Sequence, residues 1–260
     1  MKNTMNTVFI TGGTSGIGLE LAKSYLKKGW RVGVCGRDAQ KFRLHFDAHR
    51  DSVQFFAVDV ADREALKKAI HDFARPTGLG LLIASAGISY PVKSKVPDFE
   101  RTYRMVQVNL LGVMHAFEAA MEIMVPQGQG HMVAISSVAG FSGFPGVSGY
   151  SATKGAVMKF CESLAIDLRH LGLTVTCVCP GFVDTPLTQV NPHPMPFMIA
   201  APAAAEIIVQ GIEKKRSLIV FPFFFGMIIR LLGILPRFLY RRLMRTQVLN
   251  FSRDNTKEKA

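Results

Sequence analysis

Residues 7–18 read Thr7-Val8-Phe9-Ile10-Thr11-Gly12-Gly13-Thr14-Ser15-Gly16-Ile17-Gly18, and this stretch decides the fold. A short run of strand-forming residues stops at a glycine-rich turn. A helical pattern follows at once, with Leu19, Leu21, Ala22, Tyr25 and Leu26 on its inward side. Glycines at 12, 16 and 18 let the backbone turn sharply and approach a ligand closely. A helix opening there presents unpaired N–H groups and a positive dipole end to a pyrophosphate. A glycine turn between a first strand and a helix is the opening unit of a dinucleotide-binding sheet.

Outward from this unit, strand-like and helix-like segments alternate. Strands are expected at Arg31 to Cys35, Val53 to Val58, Leu79 to Ala84, Met132 to Ile135, Leu173 to Cys179 and Leu218 to Phe221. Helices are expected at Gly16 to Lys28, Ala39 to His49, Asp62 to Phe73, Asp98 to Met124, Tyr150 to His170 and Ala201 to Lys214. Continuous apolar strands separated by helices imply an α/β fold: one doubly wound, Rossmann-like parallel sheet with helices on both faces. Residues 1–221 are read as this catalytic unit and 222–260 as a C-terminal extension. The Pro-rich stretch from Pro180 to Pro202 is expected to be an irregular, lid-like loop.

The chain has 260 residues, of which 48% are apolar and 19% charged, so it can bury a large core. Four cysteines are too few for a disulfide framework, and neither they nor the histidines show metal-ligand spacing, so no metal is expected. Cys177 and Cys179 share a strand face and, with Cys35 and Cys161, read as packing residues; His193 reads as a solvated loop residue. The net charge of +12 favours an anionic partner: a phosphorylated cofactor, a lipid surface or nucleic acid. The N-terminal segment runs straight into a strand without a signal-peptide core, and no apolar stretch of about 18 residues is unbroken. A cytoplasmic protein is expected.

At the tip of the second strand, Val34-Cys35-Gly36-Arg37 offers no carboxylate for a ribose 2′-OH. Arg37 can instead pair with a 2′-phosphate. Asp38 reads as the cap of the next helix. Tyr150 and Lys154 stand at i and i+4 on one expected helix and share a face. A phenol ionises near ~10 and is a poor base at neutral pH. An adjacent ammonium, with the positive ring of an oxidised nicotinamide, would stabilise its phenolate. Ser136 and Ser137 end the fifth strand, where α/β sheets place ligands.

The Thr-Gly-x-x-x-Gly-x-Gly turn, with Asn109, Ser137, Tyr150 and Lys154 behind it in that order, resembles the short-chain dehydrogenase/reductase family from about residue 6 to 221. The resemblance implies NADP(H) as cofactor. It places the cofactor against Gly12, Thr14, Ser15, Gly16, Ile17 and Gly18, with Arg37 at the 2′-phosphate and Asp59-Val60 at the adenine. In Ala84-Ser85-Ala86-Gly87, where the family usually shows Asn-Asn-Ala-Gly, Ser85 could still hydrogen-bond and Ala86-Gly87 would pass by the adenosine ribose. Pro180-Gly181-Phe182-Val183-Asp184-Thr185 resembles the family's segment at the nicotinamide carboxamide, with contacts from Val183 and Thr185. Tyr150 would exchange the proton, Ser137 hold the substrate oxygen, Lys154 hold ribose hydroxyls, and Asn109 kink its helix and join a proton relay through water. The activity implied is reduction of a ketone or aldehyde, or its reverse, by a homo-oligomer.

Beyond Phe221 the chain departs from many family members. Lys214, Lys215, Arg216, Arg230, Arg237, Arg241, Arg242 and Arg245 fall in one stretch without an acid between them. On a helix of about 100° per residue starting at Arg237, the four arginines at 237, 241, 242 and 245 occupy one side. Leu239, Tyr240, Leu243 and Met244 occupy the other, and Phe238 breaks the pattern. Such a helix suits an anionic membrane surface; its apolar face could equally pack on the sheet or on a second subunit. Loosely similar tails occur in 3-ketodihydrosphingosine reductases, which points to an apolar, lipid-like substrate and peripheral contact on the inner face of a membrane. The competing readings are a 3-oxoacyl-carrier-protein or general carbonyl reductase, and an NADP(H)-binding sensor without turnover. Nucleic acid is disfavoured, because the cations alternate with aliphatic residues and not with stacking aromatics.

Overall fold

The computed structural model describes residues 5–47, 52–75, 77–90, 97–190 and 195–245. His193 and the end of the tail lie outside these. Seven strands form one parallel sheet. In chain order they are β1 (Thr7–Thr11), β2 (Arg31–Gly36), β3 (Val53–Ala57), β4 (Leu81–Ala84), β5 (Gly130–Ile135), β6 (Leu173–Pro180) and, after two short strands, β9 (Leu218–Phe221). The spatial order is β3-β2-β1-β4-β5-β6-β9. The order reverses between β1 and β4, and a crevice opens there at the carboxyl edge of the sheet.

One face is covered by α1 (Gly16–Lys27), α2 (Ala39–Phe46) and α8 (Ala201–Glu213), whose Leu21, Tyr25, Phe42, Phe46 and Ile208 bury against β1, β2 and β6. The other is covered by α3 (Arg63–Ala74), α4 (Phe99–Met105), α5 (Gly112–Gln127) and α6 (Ser148–Asp167), around Phe9, Phe73, Phe117, Met124 and Val157. Strands apolar on both sides need both layers to exclude water, which is why β1 is buried at every residue. Asp38 does cap α2, accepting from the Gln40 and Lys41 N–H groups at 2.9 and 3.2 Å.

The structure corrects several boundaries. The helix expected over Asp98 to Met124 runs to Gln127 and is interrupted by a π-helical turn, Val106–Leu111. Phe99–Gln127 is long and apolar enough to cross a bilayer, yet half of its most apolar stretch is buried inside the protein. Among the described residues no other helix meets that length and composition. The Pro180 to Pro202 stretch is not wholly irregular. It holds a two-stranded parallel ribbon, β7 (Val183–Asp184) with β8 (Ile199–Ala200), and the short helix α7 (Pro186–Gln189).

The extension folds as α9 (Phe223–Ile234) and α10 (Arg237–Met244). Its apolar face, for which membrane contact and packing on the protein were both open, is partly occupied. Ile229, Tyr240 and Met244 close a third apolar cluster with Val138 and Phe144, and the Tyr240 hydroxyl donates to the Gly143 carbonyl at 2.7 Å. Leu239 and Leu243, on the same expected face, stay exposed.

Candidate active site

The glycine turn at the end of β1 is held by backbone geometry that only glycine supplies. Gly12 has φ +68°, and a Cβ on it would lie 2.8 Å from the Ala86 Cα. A Cβ on Gly18 would lie 2.4 Å from the Gly12 carbonyl oxygen. The α1 backbone therefore starts hard against the turn, and its N-terminus opens toward the crevice. Ser15 caps α1 with extended backbone and makes no side-chain bond there. Thr11, to which sequence reasoning assigned no role, organises the neighbouring turn: its Oγ1 accepts from the Ser85 and Ala86 N–H groups, both at 3.1 Å. Ser85 is thus held through its backbone.

A dinucleotide fits this cradle. At the tip of β2, Thr14 Oγ1 would be 3.0 Å from a Cβ on Gly36, so the place of a ribose-binding acid is narrowed by Thr14 itself. Arg37 borders the crevice, and Lys41, one turn into α2, borders it beside Arg37. Neither forms an ion pair among the described residues. Lys41 escaped sequence reasoning, although Arg37 and Lys41 are four apart across a helix start. Asp59 also borders the crevice, next to Val60. Its carboxylate accepts from the Ala61 N–H at 3.0 Å and from Arg104. Burial works to raise its pKa, but the Ala61 N–H and the Arg104 guanidinium together bring it below the ordinary value.

Deeper in, α6 carries Tyr150 and Lys154 toward the ends of β5 and β6. The Lys154 Nζ donates to the Ile135 carbonyl at 2.8 Å and lies 5.6 Å from the centre of the Tyr150 ring. Burial lowers the Lys154 pKa to about 8. Burial likewise pushes Tyr150 up to about 12, against the lowering effect of a hydrogen bond from Ser137. With protein groups alone, Tyr150 is therefore a neutral phenol at physiological pH. The two adjacent serines separate in role: Ser136 Oγ donates to the Lys154 carbonyl at 2.8 Å and ties α6 to the sheet. Ser137 accepts from the Ala139 N–H at 3.1 Å, which leaves its O–H turned toward Tyr150 and Pro180.

Asn109 sits on the π-helical turn, fully buried. Its Oδ1 accepts from the Ile88 N–H at 2.8 Å and its Nδ2 donates to the Ile88 carbonyl at 2.9 Å. The distortion expected of this helix is thus a widened turn, and the Asn side chain bonds Ile88, with Nδ2 also 3.4 Å from the Thr153 Oγ1. Asn109 Oδ1 and Lys154 Nζ both lie 3.5 Å from the position a Cβ would take on Gly87, so the two side chains converge there. Thr185 closes the far end, with its Cγ2 3.2 Å from where a Gly16 Cβ would stand. Every residue expected at the cofactor, and Ser137, lines the crevice, including Pro180, Gly181 and Val183; Asn109 lies behind it.

This geometry agrees with what the chain resembles. The family model for short chain dehydrogenases matches residues 6–195, and the protein belongs to that family. An uncharacterized oxidoreductase of Myxococcus xanthus is 34% identical over 90% of this chain and 94% of its own length. The 2-(R)-hydroxypropyl-CoM dehydrogenase of Xanthobacter autotrophicus is 34% identical over 69% of this chain and 75% of its own. Among solved structures, ElxO with NADP bound superposes with a TM-score of 0.74 at 25% identity, covering 82% of this chain and 96% of that one. A short chain dehydrogenase of Burkholderia cenocepacia shares the fold at a TM-score of 0.79 and 23% identity, covering 92% of this chain and 98% of that one.

Proposed function

We propose that this protein is an NADP(H)-dependent reductase of a ketone or aldehyde with an apolar body. Residues 1–221 carry the chemistry, and the extension brings the protein to the cytoplasmic face of a membrane. The observation that carries the reading is the placement of the half-buried Tyr150 beside Ser137 and Lys154, in one crevice with the cations Arg37 and Lys41. The cofactor's diphosphate belongs on the α1 N-terminus and the glycine turn, its 2′-phosphate at Arg37 and Lys41, and its nicotinamide by Val183 and Thr185. When bound, NADPH supplies the hydride.

Tyr150 gives its proton to the carbonyl oxygen as that oxygen gains negative charge, and Ser137 donates a second hydrogen bond to the same atom. The Lys154 ammonium stabilises the phenolate that remains and lowers the cost of the transfer. At neutral pH the Tyr150 phenol carries its proton, which is the state that reduction of a carbonyl starts from. Phe182 and Phe225, with ring centres 5.9 Å apart, pack next to Gly181, which lines the crevice, and would offer an apolar surface to a substrate entering there.

The test is loss of NADPH absorbance against a panel of ketones and aldehydes of increasing chain length. Tyr150→Phe should bind NADPH normally and lose about 10²–10⁴-fold in turnover. Full turnover in that variant removes Tyr150 from the role. NADPH binding without oxidation by any carbonyl would favour a sensor.

A further inference from the structure

On the side of α6 opposite Tyr150 and Lys154 lies a second cavity of about 830 Å³, roofed by α10. We propose that it receives the phosphate of an anionic phospholipid headgroup while the outer face of α9 enters the acyl layer. This rests on the membrane contact proposed above and adds a specific site to it.

Four observations converge. Arg237 and Arg241 on α10 and Arg245 at its C-cap line the cavity, and no Asp or Glu does. None of the three forms an ion pair among the described residues. The 20-residue helix α6 begins at this cavity with Ser148. Val147 stands at its N-cap and supplies no side-chain bond, so the positive end of the helix is uncompensated. Ser151, in the first turn, lines the same space; it is only 6% exposed, and its Oγ has no hydrogen-bond partner. A buried hydroxyl without a partner is costly unless a ligand completes it. Guanidinium forks, a hydroxyl and helix N–H groups are the donor set that a phosphate accepts.

The choice of a lipid over a free phosphate comes from the neighbouring surface. Phe224, Ile228, Leu231 and Ile234 recur along one side of α9, 53–81% exposed, and Phe238 on α10 is 71% exposed. From Lys214 to Arg245 every charged residue is a cation. An apolar stripe beside a basic, acid-free cavity is complementary to acyl chains beneath phosphates.

The experiment is co-sedimentation of the full chain with vesicles of phosphatidylcholine, with and without phosphatidylglycerol. Glycerol 3-phosphate, titrated by calorimetry, serves as the soluble probe. Binding should require phosphatidylglycerol. Arg241→Ala with Arg245→Ala should weaken it roughly 30-fold, at about fivefold per arginine. Ser151→Ala should weaken it a few fold, and Ala156→Leu, which fills the cavity, should weaken it like the arginine pair. Phe224→Glu with Leu231→Glu should abolish vesicle binding and spare weak glycerol 3-phosphate binding. NADPH oxidation with a small soluble aldehyde should be unchanged in the arginine variants, which separates this site from the reductase reading. If the arginine pair matters but Ser151→Ala and Ala156→Leu do not, attraction is diffuse and the site is overturned while membrane contact stands. If the intact chain ignores anionic vesicles, the membrane reading fails with it. If Ala156→Leu instead splits an oligomer in light scattering, the cavity is a subunit contact and the proposal is wrong.

Discussion

Lys154 and Tyr150 differ in how burial acts on them, and that difference sets a pH dependence. Burial disfavours the charged form of each, so the lysine falls to about 8 and the tyrosine rises to about 12. The Lys154 ammonium is present below about pH 8 and is lost as pH rises through it. Tyr150 stays protonated throughout that range. The reductive kcat/KM should therefore decline above about pH 8, and Lys154→Arg, which keeps its charge, should move that limb upward. A pH–rate profile of both proteins measures this, and an unmoved limb would assign it to another group. At the other end of the crevice, Arg37→Asp should cost NADPH about 10–100-fold in kcat/KM, the worth of a charge-assisted contact, and gain NADH relatively. The ratio of the two cofactors' kcat/KM reads it; an unchanged ratio makes Arg37 a surface residue.

Among the elements, the β1 turn and the π-helical turn do the positioning. Gly18→Ala puts a methyl against the Gly12 carbonyl, a backbone atom that no rotamer change can move aside. Stability should fall by about 1–3 kcal/mol, as in overpacked cores, and NADPH affinity by tenfold or more. Denaturant titration and fluorescence binding would report both. Wild-type affinity in that variant would mean the turn does not face the cofactor. The glycine turn was legible because its residues act on one another over a few positions. Asn109 was legible as an oddity, being a poor mid-helix residue. Its pairing with Ile88 was not, because Ile88 comes from the loop after β4 and nothing local links the two.

At the scale of the whole molecule, the extension bears on the site. Ile229, Tyr240 and Met244 cover Val138 and Phe144, and Val138 directly follows Ser137. Cutting the chain after Phe221 should leave both main cores folded, lower the Tm, and reduce turnover even on a small soluble carbonyl. Tyr240→Phe should reproduce part of the stability loss, about 0.5–1.5 kcal/mol for the bond to Gly143. Calorimetry and a soluble-aldehyde assay check this. Full activity and an unchanged Tm after truncation would show that the tail only rests on the domain.

By itself the sequence determined the parallel α/β sheet and the glycine turn, which follow from periodicity and from backbone freedom at glycine. The grouping of Ser137, Tyr150 and Lys154 was legible through the resemblance to the family. Tertiary structure alone decided that Lys41 joins Arg37 at the crevice, that Asp59 is tied to Arg104, and how the tail is used. An amphipathic pattern states that a helix has an apolar face and leaves open what covers it. For α10 the answer was split: Tyr240 and Met244 went into the protein, while Leu239 and Leu243 on the same face remained 43% and 37% exposed. The reason is contact geometry. Only the part of the face that reaches the 138–144 turn gains apolar burial, and that turn is distant in sequence.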